Sequence, residues 1–476
     1  MISRQEIMDF SREFGLAPNV IEKDYALGWV LAGIANTEGL GTVWVFKGGT
    51  ALKKCFFETY RFSEDLDFTV TEEKYLDPDS LTEIFRKIGD WVYEQAGLEI
   101  PRDTIRFESY TTPRGKTSVQ GRIGYRGPLK PGGDLPRIRF DLTKDELVVL
   151  NPEMREVHHP HSDSPTDGIH VLSYCFEEVF AEKIRALAER ERPRDLYDVI
   201  HLFRHSNEAV DRPLLVKTLE KKCAFKGIPL PSFDTLATSP EYSELKSEWQ
   251  NMLAHQLPVL PPFEQFWNEL PDMFNWLYGK VEKVVQPVIP SIGIPGDDRW
   301  RAPTMATAWH SKVPIEVIRY AGANRLCVDL QYQGNKRLIE PYSLRRSREG
   351  NLLLYAAKHI SGEPRAYRVD RIEGAAVTNK PFTPRYTIEF SESGSISAPP
   401  ISRNPEIYRP TKTRSPLTIG FGTKRLASGY GPKYIFECPI CEKKFTHRSY
   451  DASLRPHKDK DGYPCGGRLG IYIDTK

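Results

Sequence analysis

The sequence predicts an α+β protein of several units: a mixed N-terminal domain with a helical C-terminal part, then a small, mainly β domain, then a metal-binding module. Three observations predict it. Short apolar strands alternate with helical periodicity through the first 205 residues, and aromatic-rich helical windows fill 207–280. Past a Pro/Gly-rich run the period then shortens to that of strands, and a Cys/His cluster closes the chain. At 476 residues the chain exceeds what one core holds, since single cores stop growing at roughly 250–300 residues.

Composition narrows the function classes. A hydrophobic fraction of 39% excludes wholesale disorder and a membrane-embedded chain, and no apolar run nears the roughly 20 residues of a bilayer helix. The opening "MISRQEIMDF" lacks the basic start and apolar stretch of a secretion signal, so a cytoplasmic location is expected. Seven cysteines, four scattered (Cys55, Cys175, Cys223, Cys327) and three near the end (Cys438, Cys441, Cys465), are not a disulfide framework. Net charge is only +2, but residues 401–476 hold 15 Lys/Arg against 7 Asp/Glu, so a basic tail joins a mildly acidic body. Such asymmetry suits phosphate-rich ligands.

In chain order, residues 4–35 read as helices, with Ile7, Phe10 and Phe14 and then Ile21, Tyr25, Leu27 and Leu31 at helical spacing. "VWVF" reads as a strand running into a Gly-Gly turn, "GTALKKCFF" as the first turns of a helix, and "SEDLDFTV" as a second strand. A helix is expected over 80–97, a strand at "RIRFDLT", and further helix over 176–204, broken at Pro193. Long helical windows follow over 207–280, including "SEWQNMLAHQL" and "FEQFWNELPDMFNWLYG". "VVQPVIPSIGIPGDDRWRAP" reads as a linker, and residues 315–392 as short alternating strands with turns at "QGNK", "SREGN" and "ISGEP". The expected units are 1–205, a helical subdomain 206–285, a linker 286–312, a β domain 313–392, a second linker 393–432 and the Cys/His module 433–476.

The strand "SEDLDFTV" carries the chemistry. Leu66, Phe68 and Val70 share one face, and Asp65, Asp67 and Thr69 the other. Aligned acids repel, and a divalent cation between them removes that cost, because Mg²⁺ takes oxygen ligands. In "RIRFDLT", Ile138, Phe140 and Leu142 face one way and Arg137, Arg139 and Asp141 the other, which makes Asp141 a third candidate ligand. Gly48, Gly49 and Thr50, between a strand and a helix start, let backbone N–H groups approach a triphosphate with no Cβ in the way. Either half alone reads equally as a tight turn or a solvated strand edge; together they point to phosphate chemistry.

Gly-Gly-Thr followed by Asp-x-Asp resembles the DNA polymerase β-like nucleotidyltransferase superfamily. The fuller string "KGGTALKK...RFSEDLDF", with "VIEKDYALGWVL" before it and "EEVFAEKIRALAERERPRDLYDV" after it, is similar to the AbiEii/AbiGii toxin branch over residues 4–280. The resemblance implies a polymerase β-like fold and an enzyme dependent on Mg²⁺ or Mn²⁺. Such an enzyme moves a nucleotide from an NTP onto an RNA acceptor, in characterised relatives the tRNA 3′ end. It would be the toxin of a toxin–antitoxin or phage-defence system, with a cognate antitoxin. Asp65 and Asp67 would then position the α-phosphate and pyrophosphate, while the site containing Asp141 activates a 3′-hydroxyl.

Lys183, at the edge of the stripe Phe176, Phe180, Ile184 and Leu187, reads as a snorkelling cation or as the family's motif lysine on the triphosphate. Asp195 and Asp198 read as an N-cap and a first-turn acid or, carried over from the motif, as nucleotide-site residues; which of them faces the site stays open. Two other readings keep these residues: transfer to a protein or small-molecule acceptor, and a regulator that binds nucleotide or nucleic acid without transfer.

Residues 323–380, through "CVDLQYQGNKRLIEPYSLRRSREGNLLLYAAKH" and "RAYRVDRIEGAAVT", resemble a WYL domain, an SH3-like β-barrel, with Leu353-Leu354-Tyr355 replacing the tripeptide that names it. Tyr332, Arg337, Arg365, Arg368 and Arg371 read either as structural or as lining a groove for an anionic or nucleic-acid ligand. "ECPICEKKF...HKDKDGYPCGG" sets Cys438 and Cys441 ahead of His457 and Cys465, donors for a structural tetrahedral Zn²⁺, with His447 as the rival fourth ligand. The surrounding Lys443, Lys444, Arg448, Arg455 and Lys458 suit contact with RNA or DNA.

Overall fold

The alternation in "SEDLDFTV" sets the architecture: Leu66, Phe68 and Val70 are buried, while Asp65 and Asp67 stay half-buried on the other face. The computed structural model describes residues 1–112, 114–129, 132–206, 210–291, 313–390, 434–447 and 451–475. Most of the expected linker 286–312, all of 393–432, and Arg448 lie outside the described residues.

A seven-stranded sheet is built from β1 (Trp44–Lys47), β2 (Asp65–Val70), β3 (Arg106–Thr111), β4 (Thr117–Gly124), β5 (Arg137–Thr143), β6 (Glu153–Glu156) and β7 (His170–Ser173). Its order is β3-β4-β5-β2-β1-β7-β6, so β2 is central. β2 runs parallel to β5 and β1 parallel to β7; the other neighbours are antiparallel. Phe85, on the helix Pro78–Ala96, covers the apolar face, meeting Phe107 and Phe140 with ring centroids 4.8 and 4.9 Å apart. That helix starts where Asp77 accepts the Ser80 N–H at 2.8 Å, with Pro78 in its first turn, and stops at Gly97 with φ of 74°. The helix Pro18–Ala35 lies close against it, because Gly33 has no Cβ to meet Ile88.

The aromatic-rich stretch is helical but not in long pieces. After Arg212–Lys226 it breaks into Phe233–Ala237, Tyr242–Ser247, Trp249–Leu253, Phe263–Trp267 and Leu270–Leu277. Pro229, Pro231, Pro240, Pro258, Pro261, Pro262 and Pro271 lie at all but one of the breaks, since a proline lacks the N–H that would continue a helix; the break at Glu248 has no proline beside it.

The next unit opens on a helix, Ile315–Ala323, where strands were expected; Ile315, Ile318 and Tyr320 are buried among side chains of the first unit. Arg319, with no exposed surface, bridges Glu316 and Glu58 at 2.8 Å each, and the Tyr320 hydroxyl donates to the Val259 carbonyl at 2.6 Å. Then come β8 (Leu326–Tyr332), β9 (Asn335–Arg346), β10 (Leu352–Lys358), β11 (Pro364–Arg368) and β12 (Ile372–Pro381), an antiparallel sheet in the order β11-β10-β9-β8-β12. The β8–β9 hairpin turns through Gln333 and Gly334 at φ of 51° and 72°, the left-handed pair that matches strand twist.

The terminal module pairs β13 (Tyr434–Glu437) with β14 (Lys444–His447) and β17 (Ile471–Thr475), and β15 (His457–Lys458) with β16 (Pro464–Cys465). It rests on the helix Pro78–Ala96, where Lys458 reaches Asp90 at 3.0 Å, and on the turn after it, where Arg102 donates to the Asp461 carbonyl at 3.0 Å. All seven cysteines are free thiols, and among the described residues no helix is long and apolar enough to cross a membrane.

Candidate active site

Strand register assembles the site. Lys47 of β1 lies opposite Asp67 of β2, which lies beside Asp141 of β5, which lies opposite Gln120 of β4. These side chains leave the same face of the sheet. Asp65 sits two residues back, beside Arg139. Burial pushes the Asp67 carboxyl up to about 6; Lys47 opposes the rise, and Asp141 and Asp65 add to it. Asp141 is oriented by Tyr110, whose hydroxyl donates to it at 2.9 Å. Oxygen-only donors that repel one another fit a hard divalent cation.

Gly48 borders this row. It adopts φ of 79°, and a Cβ there would lie 2.1 Å from Asp67 Oδ2, so both backbone and neighbour demand glycine. A Cβ on Gly49 would lie 2.5 Å from Arg61 Nη2. Thr50 is buried and its hydroxyl donates to the Asp65 carbonyl at 2.5 Å, clamping the turn to β2. The chain then makes one short helix, Gly48–Ala51, and a π-helical turn, Leu52–Phe56.

Lys183 arrives from the helix Phe176–Arg190, near enough that its charge is felt at Asp67. It pairs with Asp198 at 2.7 Å and Asp195 at 3.4 Å. Neither of those acids is exposed at all. Arg61 grips both Asp198 oxygens at 2.7 and 2.8 Å, Tyr60 donates to the same carboxylate, and Arg190 grips both Asp195 oxygens at 2.7 and 2.9 Å. Burial pushes Asp198 up, but Arg61 and Lys183 outweigh it and hold the carboxyl well below its usual range. Asp195 and Asp198 are thus both buried, each holding cations.

Sequence reasoning missed Lys47 and Arg194, and placed Arg61 only as a neighbour of the acid pair. Lys47 pairs with Glu146 at 2.5 Å and stands opposite Asp67; alternation along "VWVFKGG" places it on the acid face. Arg61, in "YRFSEDLD", is buried beneath Gly49. Arg194 is half-buried within reach of the charges of Asp65, Asp198 and Glu64.

In the β domain, Arg337 donates to the Tyr332 carbonyl at 2.8 Å and Tyr332 packs edge-on to Tyr367, while Arg365 pairs with Glu363 and Arg368 with Asp370. In the terminal module, Cys438, Cys441, His457 and Cys465 bring their metal-binding atoms within 4.8 Å of one another, and all four are buried. The sheet carboxylates do not form so close a group. His457 Nδ1 donates to the Arg455 carbonyl at 2.9 Å, leaving Nε2 buried with no hydrogen-bond partner among the described residues, the posture of a metal ligand fixed from behind. Burial pushes the Cys438 thiol up, yet backbone N–H groups of Cys441 and Ile440 bring it down to about 6. His447, the rival ligand, instead packs edge-on against Phe436 at 5.4 Å.

Residues 29–269 match the AbiEii family, described as the nucleotidyl transferase toxin of a type IV toxin–antitoxin system, and residues 315–377 match the WYL domain. No curated protein matches the chain. Among solved structures it is similar to MenT4, a nucleotidyltransferase toxin of Mycobacterium tuberculosis, at 19% identity over 58% of this chain and 90% of that one, with a TM-score of 0.39. It is also similar to JHP933 of Helicobacter pylori, at 16% identity over 56% of this chain and 94% of that one, with a TM-score of 0.36.

Proposed function

Because the chain belongs to the AbiEii nucleotidyl transferase toxin family, we propose that it moves a nucleoside monophosphate from an NTP onto the 3′ end of an RNA, with tRNA as the acceptor, in a toxin–antitoxin or phage-defence setting. The observation that carries the reading is the row of Lys47, Asp67 and Asp141 across three strands with Gly48 bare beside it. A divalent cation, Mg²⁺ or Mn²⁺, held by Asp65, Asp67 and Asp141 would supply charge neutralisation at the triphosphate.

The chain's own groups do the rest. Gly48 and Gly49 admit the phosphates, Lys183 and Arg194 face their charge, and the buried Asp195 and Asp198 act as positioning residues that hold Lys183 and Arg61 in place. Asp141, oriented by Tyr110, accepts the hydrogen bond of the attacking hydroxyl. The acceptor 3′-oxygen bonds to the α-phosphorus as the bond to pyrophosphate breaks, so catalysis is positioning plus electrostatics. The Cys/His quartet would hold a structural Zn²⁺, and the arginine-lined face of the WYL domain a nucleotide or nucleic-acid ligand.

Incubating the protein with Mg²⁺, each α-labelled NTP in turn and total tRNA tests the reading. Label should pass to RNA from at least one NTP, and Asp67→Ala should lower the rate at least about 100-fold. No transfer from any NTP, with wild type behaving like Asp67→Ala, would overturn it, and label on a protein would move the acceptor to a polypeptide hydroxyl.

A further inference from the structure

Beyond the acids, the same sheet face carries a row of arginines. Arg139 of β5 lies beside Asp65, Arg122 of β4 lies opposite Arg139, and Arg106 of β3 lies opposite Arg122. Arg137 follows two residues back on β5. All four are exposed, and none has an ion pair or hydrogen bond with another described residue. Beneath them Phe107, Ile123, Ile138 and Phe140 are buried, so the arginines stand on a fixed platform. Like charges directly opposite on neighbouring strands destabilise a sheet. A row of them, with only Glu108 as acid in the middle of β3's exposed face, is a cost that a polyanion laid across it would offset.

We propose that this row is the track along which the acceptor RNA reaches the site, an inference that rests on the nucleotide-transfer reading. Direction supports it. The phosphate-admitting glycines adjoin β1, on one side of Asp67, and the arginines spread over β5, β4 and β3 on the other. In-line displacement needs the attacking hydroxyl and the departing pyrophosphate on opposite sides of the α-phosphorus. If pyrophosphate leaves beside Gly48, the acceptor comes from the arginine side, past Asp141. With strands about 4.8 Å apart, the row extends roughly 14 Å from Asp65, enough for several backbone phosphates. Arginine's fork matches phosphate oxygens, and its charge requires no particular base.

The test uses the full chain and fluorescein-labelled total tRNA. Arg106→Glu/Arg122→Glu should weaken RNA binding at least tenfold, and the slope of log affinity against log salt should shrink by about 1.8, roughly 0.9 for each phosphate that is no longer neutralised. The affinity for labelled NTP with Mg²⁺ should stay within twofold. Arg106→Gln/Arg122→Gln should bind RNA weakly too while melting no lower than wild type, which separates a binding role from a structural one. Unchanged RNA affinity and salt slope in folded variants would overturn the track, as would displacement of RNA by polyglutamate as readily as by unlabelled tRNA. If RNA binds through the row but no nucleotide is transferred, the enzymatic reading fails and the track stands. If transfer proceeds with an unchanged KM for RNA in both variants, the reverse holds.

Discussion

At Asp67 a single carboxyl carries both a cost and a use. Its folded pKa, about 6, lies above the ordinary aspartate value, so the folded chain binds this proton more tightly than the unfolded one. The contribution is therefore unfavourable when ionised, above pH 6, and is relieved as pH falls from 6 towards 4. Asp67→Asn should raise the melting temperature at pH 8 in EDTA, by roughly 1–3 kcal/mol of stability, with the gain vanishing near pH 4. A melting series over pH 4–8 checks this; a gain independent of pH would mean that the carboxylate is not strained. Alternation made Asp65, Asp67 and Asp141 legible in sequence, because a strand's period declares its faces. Asp195 and Asp198 were not legible in the same way: Arg61, which fixes Asp198, lies 137 residues earlier in the chain.

Between elements, the decisive joint is the one where Phe176–Arg190 meets Pro193–His205. Asp198 there, with no exposed surface of its own, receives Arg61, Lys183 and Tyr60, all three buried. Asp198→Ala would leave Arg61 buried without an acidic partner and Lys183 with only the longer contact to Asp195, so it should destabilise the fold by about 3–5 kcal/mol, whereas Asp195→Asn, with Arg190 still half-exposed, should cost less. Chemical denaturation of the two variants measures the difference, and equal losses would contradict the assignment of Asp198 as the main support. Pattern gave the three strands that carry the site, β1, β2 and β5, the helix after Pro78 and the break at Pro193, but not β3, β4, β6 and β7. Helical periodicity did not reveal how often prolines cut the 207–280 stretch. The helix Ile315–Ala323 was hidden because it is only nine residues long and nearly all of them are buried, Glu316 and Arg319 included, so burial does not follow the polar and apolar faces of a surface helix.

Across the whole molecule, the metal quartet and the sheet acids sit on units joined through the helix Pro78–Ala96. The quartet's donors predict one zinc per chain by atomic absorption, lost in Cys438→Ser together with a lower melting temperature, since Lys458 next to His457 anchors the module to Asp90. Stoichiometric zinc retained in that variant would argue against the assignment. The Cys/His spacing announced this cluster, with the choice between His457 and His447 left open; its docking surface was silent in sequence because it joins residues more than 350 positions apart.

The helix Ile315–Ala323 has a thermodynamic consequence for how the two larger units come apart. Its apolar side chains complete the first unit's core, and Arg319 closes on Glu58, just past the turn that begins at Gly48 and Gly49. Melting the β domain would strip that core and strand Glu58, so the two units share cooperativity and lose structure in one transition, where the sequence alone suggested separate beads on a linker.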